Sequence, residues 1–297
     1  ARHYFAVLRA ALRAGFDFAR RTRRPPGDPI NALLSLGYTL TWLGLLVLLP
    51  LAALVAKAAA GGADGFLSAI GTPRVLAALR LSFGAALLAA ALNTLIGFVV
   101  AWVLVRYRFP GRRLCDALVD LPFALPTAVA GIALTALYAP TGWLGRLLAP
   151  LGVQLAFTPA GVLIAMLFVG FPFVVRTLQP VLESLDRDLE EAAESLGATR
   201  WQRFVRVLLP LLAPTLATGF ALALARAVGE YGSVIFIAGN LPGVSEIAPL
   251  LIVQKLESYD YVGAAAIGTV MLGASFLLLL LITLLQRWSR RWAELRA

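Results

Sequence analysis

Residues 81–105 read LSFGAALLAAALNTLIGFVVAWVLV, an apolar stretch without a single charged side chain. At 1.5 Å per residue, a helix of this length crosses the roughly 30 Å hydrocarbon layer of a membrane. The 297-residue chain as a whole agrees, because 60% of its residues are hydrophobic, only 14% are charged and the mean hydropathy is +0.83. One water-soluble core could not hide so much apolar surface. The predicted fold class is therefore an all-α, polytopic membrane protein.

The rest of the chain adds five apolar stretches of comparable length. Six membrane-spanning helices are predicted, near Leu36 to Ala56, Leu79 to Val105, Leu121 to Ala139, Pro159 to Leu182, Leu211 to Ala238 and Val262 to Gln286. They divide the chain into four parts: a basic N-terminal segment (1–30), the first span with its outer loop (31–74), a core of five spans (75–286) and a C-terminal tail (287–297).

The positive charges predict the orientation of these spans. Most of the 26 Lys and Arg residues fall in the N-terminal tail, residues 106–113, residues 183–210 and the C-terminal tail. Because positively charged loops stay in the cytoplasm, both termini are expected there, in a multi-pass protein of the inner membrane. Anionic lipid on that face accounts for the net charge of +10, so no nucleic acid partner is expected.

The N-terminal tail carries a helical pattern of its own. Residues 2–24 place Tyr4, Leu8, Leu12 and Phe16 on one helical stripe, with arginines on the opposite side. This pattern predicts a basic amphipathic helix that lies in the membrane interface, before the break at residues 23–29.

The residue counts exclude most catalytic chemistry. His3 and Cys115 are the only histidine and cysteine of the sequence, so it cannot assemble a Cys/His metal cluster or a disulfide framework. Lys57 and Lys255, the only lysines, follow Ala and Gln and therefore belong to no Gly-Lys-Ser/Thr phosphate loop. We expect a protein that is not an enzyme and that binds no cofactor itself.

One long charged connection separates the predicted fourth and fifth spans. Residues 183–210 begin with six acidic side chains and continue with three arginines, an order that suits the dipoles of helices. Gly197 interrupts the segment, which predicts two short helices hinged there, the second stopped by Pro210. From charge pattern alone, a solvated hairpin that merely links two spans remains an alternative.

The spacing within this connection resembles a known motif. Glu191-Ala192-Ala193, then Gly197, then Leu209-Pro210 are similar to the EAA loop of type I permeases of the ATP-binding cassette (ABC) importer family, with Val207 where that family has Ile. The resemblance implies a six-helix permease whose loop docks on a cytoplasmic ATPase subunit. It also implies that ATP and Mg²⁺ are held by that partner.

Further stretches resemble one branch of this family, the T-type permeases of sulfate and thiosulfate importers. They are RYRFPGR (106–112), DALVDLPFALPTAVAG (116–131), RAVGEYG (226–232) and VIFIAGN (234–240). The resemblance implies a second, W-type permease as partner, two copies of the ATPase and a periplasmic sulfate- or thiosulfate-binding protein. A molybdate- or tungstate-type permease working as a homodimer remains an alternative, and so does an ion-coupled secondary transporter. The sequence does not decide between sulfate and thiosulfate.

Charged side chains inside predicted spans are the candidates for contact with an anion. Arg226 and Glu230 are four residues apart, which predicts one helix face. They either line or gate the anion path or form a structural ion pair, because charge within a span faces a cavity or a partner. Arg176, near the inner end of the fourth span, either contacts the anion or reaches towards lipid phosphate.

Overall fold

The computed structural model describes residues 29–186 and 188–294, and no strand occurs in these two ranges. The amphipathic helix predicted for residues 2–24 lies outside them. The helices are α1 Pro29–Leu43, α2 Leu49–Ala59, α3 Gly62–Ile70, α4 Pro73–Arg106, α5 Arg112–Val119, α6 Leu121–Ala124, α7 Thr127–Tyr138, α8 Trp143–Leu148, α9 Pro159–Ser184, α10 Asp188–Ser195, α11 Arg200–Arg203, α12 Leu209–Val228, α13 Val234–Ile237, α14 Ala248–Glu257 and α15 Tyr261–Glu294. Two π turns, Gly44–Leu48 and Phe204–Leu208, and a 3-10 turn, Ala149–Leu151, interrupt the series.

Six segments of the described chain are long and apolar enough to cross a membrane, which confirms the predicted number. They are Leu34–Ala59, Pro73–Arg106, Thr127–Leu151, Pro159–Ser184, Arg200–Val228 and Tyr261–Leu284. The described part of the chain divides into two compact units, with the boundary between Leu54 and Val55.

The first unit contains a π turn placed just before a proline. The N–H of Leu49 bonds to the carbonyl of Gly44, five residues back, and Pro50 follows directly. Proline lacks an N–H and its ring crowds the preceding turn, so a wider turn accommodates it without ending the helix.

The second unit is built around α9. This helix packs against α4 and α12, and its residues Val162, Val174 and Leu178 are fully buried. Close approach requires glycine on the neighbouring helix, since a Cβ at Gly97 of α4 would lie 2.8 Å from Cγ1 of Val174. Small residues at helix interfaces let backbones approach closely in membrane bundles.

The third predicted span is wrong at its N-terminal end. Residues 121–124 form the separate helix α6, and the span begins at Thr127. Pro126 has φ −56° and ψ 137°, an extended conformation that breaks the helix before α7. The span continues through a turn into α8, which was not predicted.

The fifth predicted span is wrong at both ends. It was expected to follow a stop at Pro210, but the helical segment runs without a break from Arg200 to Val228. The π turn Phe204–Leu208 lies before Pro210 in the same way as the π turn before Pro50, with the Leu209 N–H bonded to the Phe204 carbonyl. The helix then ends at Val228 rather than at Ala238, so Glu230 lies just beyond α12.

Candidate functional site

The EAA loop, residues 183–210, contains α10 before Gly197 and α11 after it, as the sequence predicts, but the second helix runs on through Pro210 into α12 and is not stopped there. Gly197 adopts a left-handed conformation, with φ +80°, directly after α10. The Ala198 N–H bonds to the Ala193 carbonyl at 3.0 Å, which closes a Schellman-type cap. Thr199 begins α11 through a capping box with Gln202. The reversal of the chain at Gly197 is therefore locally encoded.

The tip of this loop is exposed. Glu191, Ala192 and Gly197 lie at the surface, and Leu196 is 89% exposed. A Cβ at Gly197 would meet no atom within 4 Å. The glycine is thus required by its backbone conformation and not by packing within this chain. Acidic and apolar groups together form a small protruding surface.

Two ion pairs connect α10 to the remainder of the described chain. Glu190 pairs with Arg106 at 2.6 Å, and Glu194 pairs with Arg203 at 2.6 Å. The Glu190 and Arg106 side chains are only 23% and 14% exposed, whereas Glu194 is 65% exposed. An open pocket of about 360 Å³ beside these pairs is also lined by Glu191. The carboxylate of the first pair is therefore far less hydrated than that of the second, while the two arginines are similarly buried, Arg203 being 17% exposed.

Four aromatic rings pack the second half of the loop against α4. They belong to Phe98, Trp102, Trp201 and Phe204, and their centroids lie 5.8 to 6.2 Å apart in the contacting pairs. Arg106 stacks on Trp102, with 5.2 Å between the guanidinium carbon and the ring centroid. Edge-to-face and tilted ring contacts of this kind add to apolar burial.

Arg226 and Glu230 form an ion pair, although Glu230 lies beyond the end of α12 and not on the helix face that the spacing of four predicts. Arg226 Nη1 lies 2.5 Å from Glu230 Oε2, and the Arg226 side chain is 31% exposed while that of Glu230 is 2% exposed. Glu230 Oε1 accepts hydrogen bonds from the backbone N–H and the hydroxyl of Ser233, at 2.9 and 2.8 Å. Both carboxylate oxygens are therefore held, and Arg226 reaches from this buried anchor towards the surface.

The chain around Glu230 packs closely against α7. A Cβ at Gly232 would lie 2.2 Å from the Thr127 hydroxyl, and one at Gly131 would lie 2.5 Å from the Ser233 carbonyl oxygen. We call residues 229–233 the Glu230 corner. Its position depends on glycine at both contacts, because a side chain at Gly131 would displace the backbone of Ser233 and one at Gly232 would displace the side chain of Thr127.

Arg176 is fully engaged by Asp116 of α5, through both its side chain and its main-chain carbonyl, by the side chain of Asp120 just after α5, and by Gln179 of its own helix. Its Nε, Nη1 and Nη2 atoms make five hydrogen bonds of 2.5 to 2.7 Å to Asp116, Asp120 and Gln179. A guanidinium has five N–H groups, so none remains open. The hydrogen bond from Gln179, followed by that from Arg176, lowers the pKa of Asp116 below its ordinary value.

A further ion pair lies at the other end of α4. Glu246 is 1% exposed and accepts two hydrogen bonds from Arg74, which also donates to Gln254. Next to it, the Ala248 N–H donates to the buried Ser82 hydroxyl at 2.8 Å. Sequence reasoning missed this pair, as it missed Arg106 with Glu190, since 172 and 84 positions separate the partners and no local pattern relates them.

Metal binding has no support in the described ranges. Among residues 29–186 and 188–294, no three His, Cys, Asp or Glu side chains come together as a group that could hold a metal ion.

Comparison with known proteins places this architecture in a family. The family model described as "Binding-protein-dependent transport system inner membrane component" matches residues 93–294. A second model, "CRISPR associated protein Cas1", matches residues 1–56, which is less than a fifth of the chain and too little to show membership. The first match runs from within α4 through the remaining four spans, and it includes the EAA loop and the Glu230 corner.

Relatives of the chain extend this result. The "Sulfate transport system permease protein CysT" of Synechocystis sp. is 52% identical over 256 residues, covering 86% of this chain and 90% of that protein. The protein of the same name from Escherichia coli is 49% identical over 259 residues, covering 87% and 94%. Among solved structures, a chain of a bacterial ABC transporter involved in the import of the acidic polysaccharide alginate has a TM-score of 0.71 at 18% identity, covering 93% of this chain and 98% of that one. That structure shares the fold, and the sequence relatives define the branch. The chain therefore belongs to the inner-membrane components of binding-protein-dependent transport systems, in the branch of the CysT sulfate permeases.

Proposed function

We propose that this chain is a membrane-spanning permease subunit of an ATP-driven sulfate and thiosulfate importer, which passes the anion by alternating access. The relatives named for sulfate transport support the substrate class. The observation that carries the coupling argument is the geometry of the EAA loop, where a left-handed Gly197 presents an exposed helix end on one side of the membrane bundle.

ATP hydrolysis on the partner subunits acts on this chain through the EAA loop. Glu191, Ala192, Ala193 and Gly197 form or adjoin its exposed tip, and Leu209-Pro210 begins α12 within the span that follows. Small side chains permit close approach of a partner, and a short helix end fits a groove on another protein. We assign the docking of two copies of a cytoplasmic ATPase to this loop and its counterpart. ATP and Mg²⁺ belong to those subunits.

The anion path uses Arg226 and Glu230. Glu230 holds one arm of the Arg226 guanidinium, and the partly exposed remainder offers N–H donors in the planar arrangement that binds oxyanions well. Glu230 thereby acts as the support of the positive group and not as a site for the anion. Arg176 has no open N–H group, so we assign it to anchoring α5 and not to the path.

The partners and orientation follow the same proposal. A W-type permease completes a heterodimer, and a periplasmic binding protein delivers the anion on the face opposite the EAA loop. The ion pair of Arg106 with Glu190 puts the arginine-rich segment 106–113 on the same side as the EAA loop. That clustering of positive charge supports a cytoplasmic location for this side and for both termini, in the inner membrane.

The first test is to tag the chain, extract it gently from its native membrane and identify what copurifies. Recovery of a second, nonidentical permease with an ATPase is expected. Self-association with an ATPase would favour the molybdate-type homodimer instead. Recovery without any ATPase would overturn the coupling role of the EAA loop.

The second test measures uptake of radiolabelled sulfate into vesicles containing the complex, its binding protein and internal ATP. Uptake should require ATP and should be inhibited by thiosulfate more than by molybdate. Arg226→Ala should lower uptake at least about tenfold, as loss of a charge-assisted anion contact implies. The exposed Arg146 of α8 supplies the control Arg146→Ala. Unchanged uptake in an assembled Arg226→Ala complex would exclude the path role.

A further inference from the structure

The helix α10 has little packing of its own. None of its residues is buried. Of its two described ion pairs, that of Glu194 with Arg203 stays within the EAA loop, while that of Glu190 with Arg106 reaches a different membrane span. The second pair is therefore the polar connection through which the position of α10 acts on α4.

The surroundings of Arg106 make that connection stiff. Arg106 is the last residue of α4, where a positive charge is favoured by the helix dipole, and its guanidinium stacks on Trp102 one turn earlier. With side chains 14% and 23% exposed, the two charges are mostly removed from water. Separating them would leave an uncompensated charge in a poorly hydrated place, so the pair resists being pulled apart.

The opposite end of α4 carries a second connection of the same kind. Arg74, in the first turn of this helix, holds the buried Glu246 through two hydrogen bonds. The helix has 34 residues, which corresponds to about 50 Å at 1.5 Å per residue. One continuous helix thus has an ion pair with the EAA loop at one end and an ion pair with the segment before α14 at the other.

We propose that Arg106 and Glu190 form a positioning pair that makes α4 move with α10. Through α4 and Arg74, it transmits the displacement of the EAA loop across the membrane to the segment holding Glu246. This inference rests on the proposed function, in which an ATPase moves the EAA loop. Neither residue touches the anion. Their role is to make the segment that holds Glu246 move together with the EAA loop.

The experiment is a double-mutant cycle in the vesicle-reconstituted complex, with Arg106→Gln, Glu190→Gln and both together. Each single variant should retain ATP hydrolysis but lower sulfate uptake per ATP at least about fivefold. The double variant should be no worse than the worse single one, because breaking the pair once removes the whole connection. Arg146→Gln is the control, since it neutralises an exposed arginine of α8 that belongs neither to the EAA loop nor to the ion pairs of α4, and it should stay within about twofold of the unmodified complex.

A second readout does not depend on which anion is carried. Val244, which is 57% exposed in the segment before Glu246, is replaced by Cys in a Cys115→Ser background. A nonhydrolysable ATP analogue should change the labelling rate of this cysteine when Arg106 and Glu190 are present, and the change should disappear in both single variants and in the double variant.

The outcomes separate the two proposals. Failure of the unmodified complex to take up sulfate, with a normal nucleotide effect at Val244→Cys, would reject the substrate and keep the positioning pair. Uptake per ATP at the unmodified level in the double variant would overturn the positioning pair. Losses in the single variants that multiply in the double variant would overturn it as well, and so would a nucleotide effect on labelling that persists without the pair.

Discussion

The guanidinium of Arg74 and the carboxylate of Glu246 meet through two hydrogen bonds, from Nε to Oε2 at 2.8 Å and from Nη2 to Oε1 at 2.6 Å. Glu246 is 1% exposed, so its charge depends on this one guanidinium. The pair joins the first turn of α4 to the chain just before α14, two segments that are remote in sequence.

Arg74→Ala should destabilise the protein, because it leaves a buried carboxylate without its partner. We expect a loss of about 2 kcal/mol, visible as a lower Tm in detergent. Lys255→Ala is the control, since it breaks the exposed ion pair with Asp260 and should cost less than about 1 kcal/mol. Equal Tm values for the two variants would contradict the assignment of Glu246 as a buried charge that requires Arg74.

Gly197→Ala should impair the coupling of the ATPase to transport, although the new methyl group would meet no other atom. The left-handed conformation costs an L-residue about 1 to 2 kcal/mol, so the end of α10 should rearrange. We expect less ATPase to copurify and less sulfate uptake. Gly84→Ala in α4 is the control, because Gly84 also has open space around it but has ordinary helical dihedral angles and should gain up to about 1 kcal/mol. Normal ATPase recovery and uptake by Gly197→Ala would contradict a requirement for this turn.

Gly131→Ala should displace the Glu230 corner. The new Cβ would lie 2.5 Å from the Ser233 carbonyl oxygen, and the shift of backbone should cost about 2 kcal/mol. Because Ser233 holds Glu230, sulfate uptake should fall further than stability alone accounts for. Gly229→Ala tests the same corner without a clash, since no atom lies within 4 Å of that position. If both variants transport equally well, the close contact between α7 and the corner has no role in uptake.

The contact of Asp116 in α5 with Gln179 and Arg176 in α9 predicts that the stability of the fold depends on pH. The pKa of Asp116 is lowered from its ordinary value of 3.8, first by the hydrogen bond from Gln179 and then by Arg176. A carboxylate whose pKa is lowered by folding stabilises the fold above its unfolded pKa and loses that effect as the pH falls through the folded pKa. The stabilisation should therefore be constant from roughly pH 5 to 8, begin to decline as the pH approaches the ordinary value of 3.8, and be lost as the pH falls through the lowered pKa of the folded state.

Thermal unfolding in detergent as a function of pH checks this expectation. Asp116→Asn should have a lower Tm at neutral pH, and its difference from the unmodified protein should shrink in acid. A difference that stays constant down to the most acidic pH would mean that the charge of Asp116 does not contribute.

The sequence predicted those features of the fold and of the site that depend on a local pattern of residues. The six spans follow from apolar length, the reversal at Gly197 follows from its place between two charged helices, and Arg226 with Glu230 follows from a spacing of four. The sequence could not relate Arg106 to Glu190 or Arg176 to Asp116, because tertiary packing alone brings these partners together. It also misplaced helix ends, since a π turn carries the helix through Pro210 and the chain leaves the helix at Gly229.

The π turn Phe204–Leu208 has a consequence for helical phase. An α-helix advances about 100° per residue, and a π turn absorbs one extra residue, so the aromatic side of α11 and the buried side of α12 are out of α-helical register. A helical wheel drawn through residues 200–228 as one α-helix would assign one of the two faces wrongly. A relative that lacks one residue in this stretch would have a regular α-helix in place of the π turn. Its aromatic and buried faces would keep the same relative orientation as in this chain.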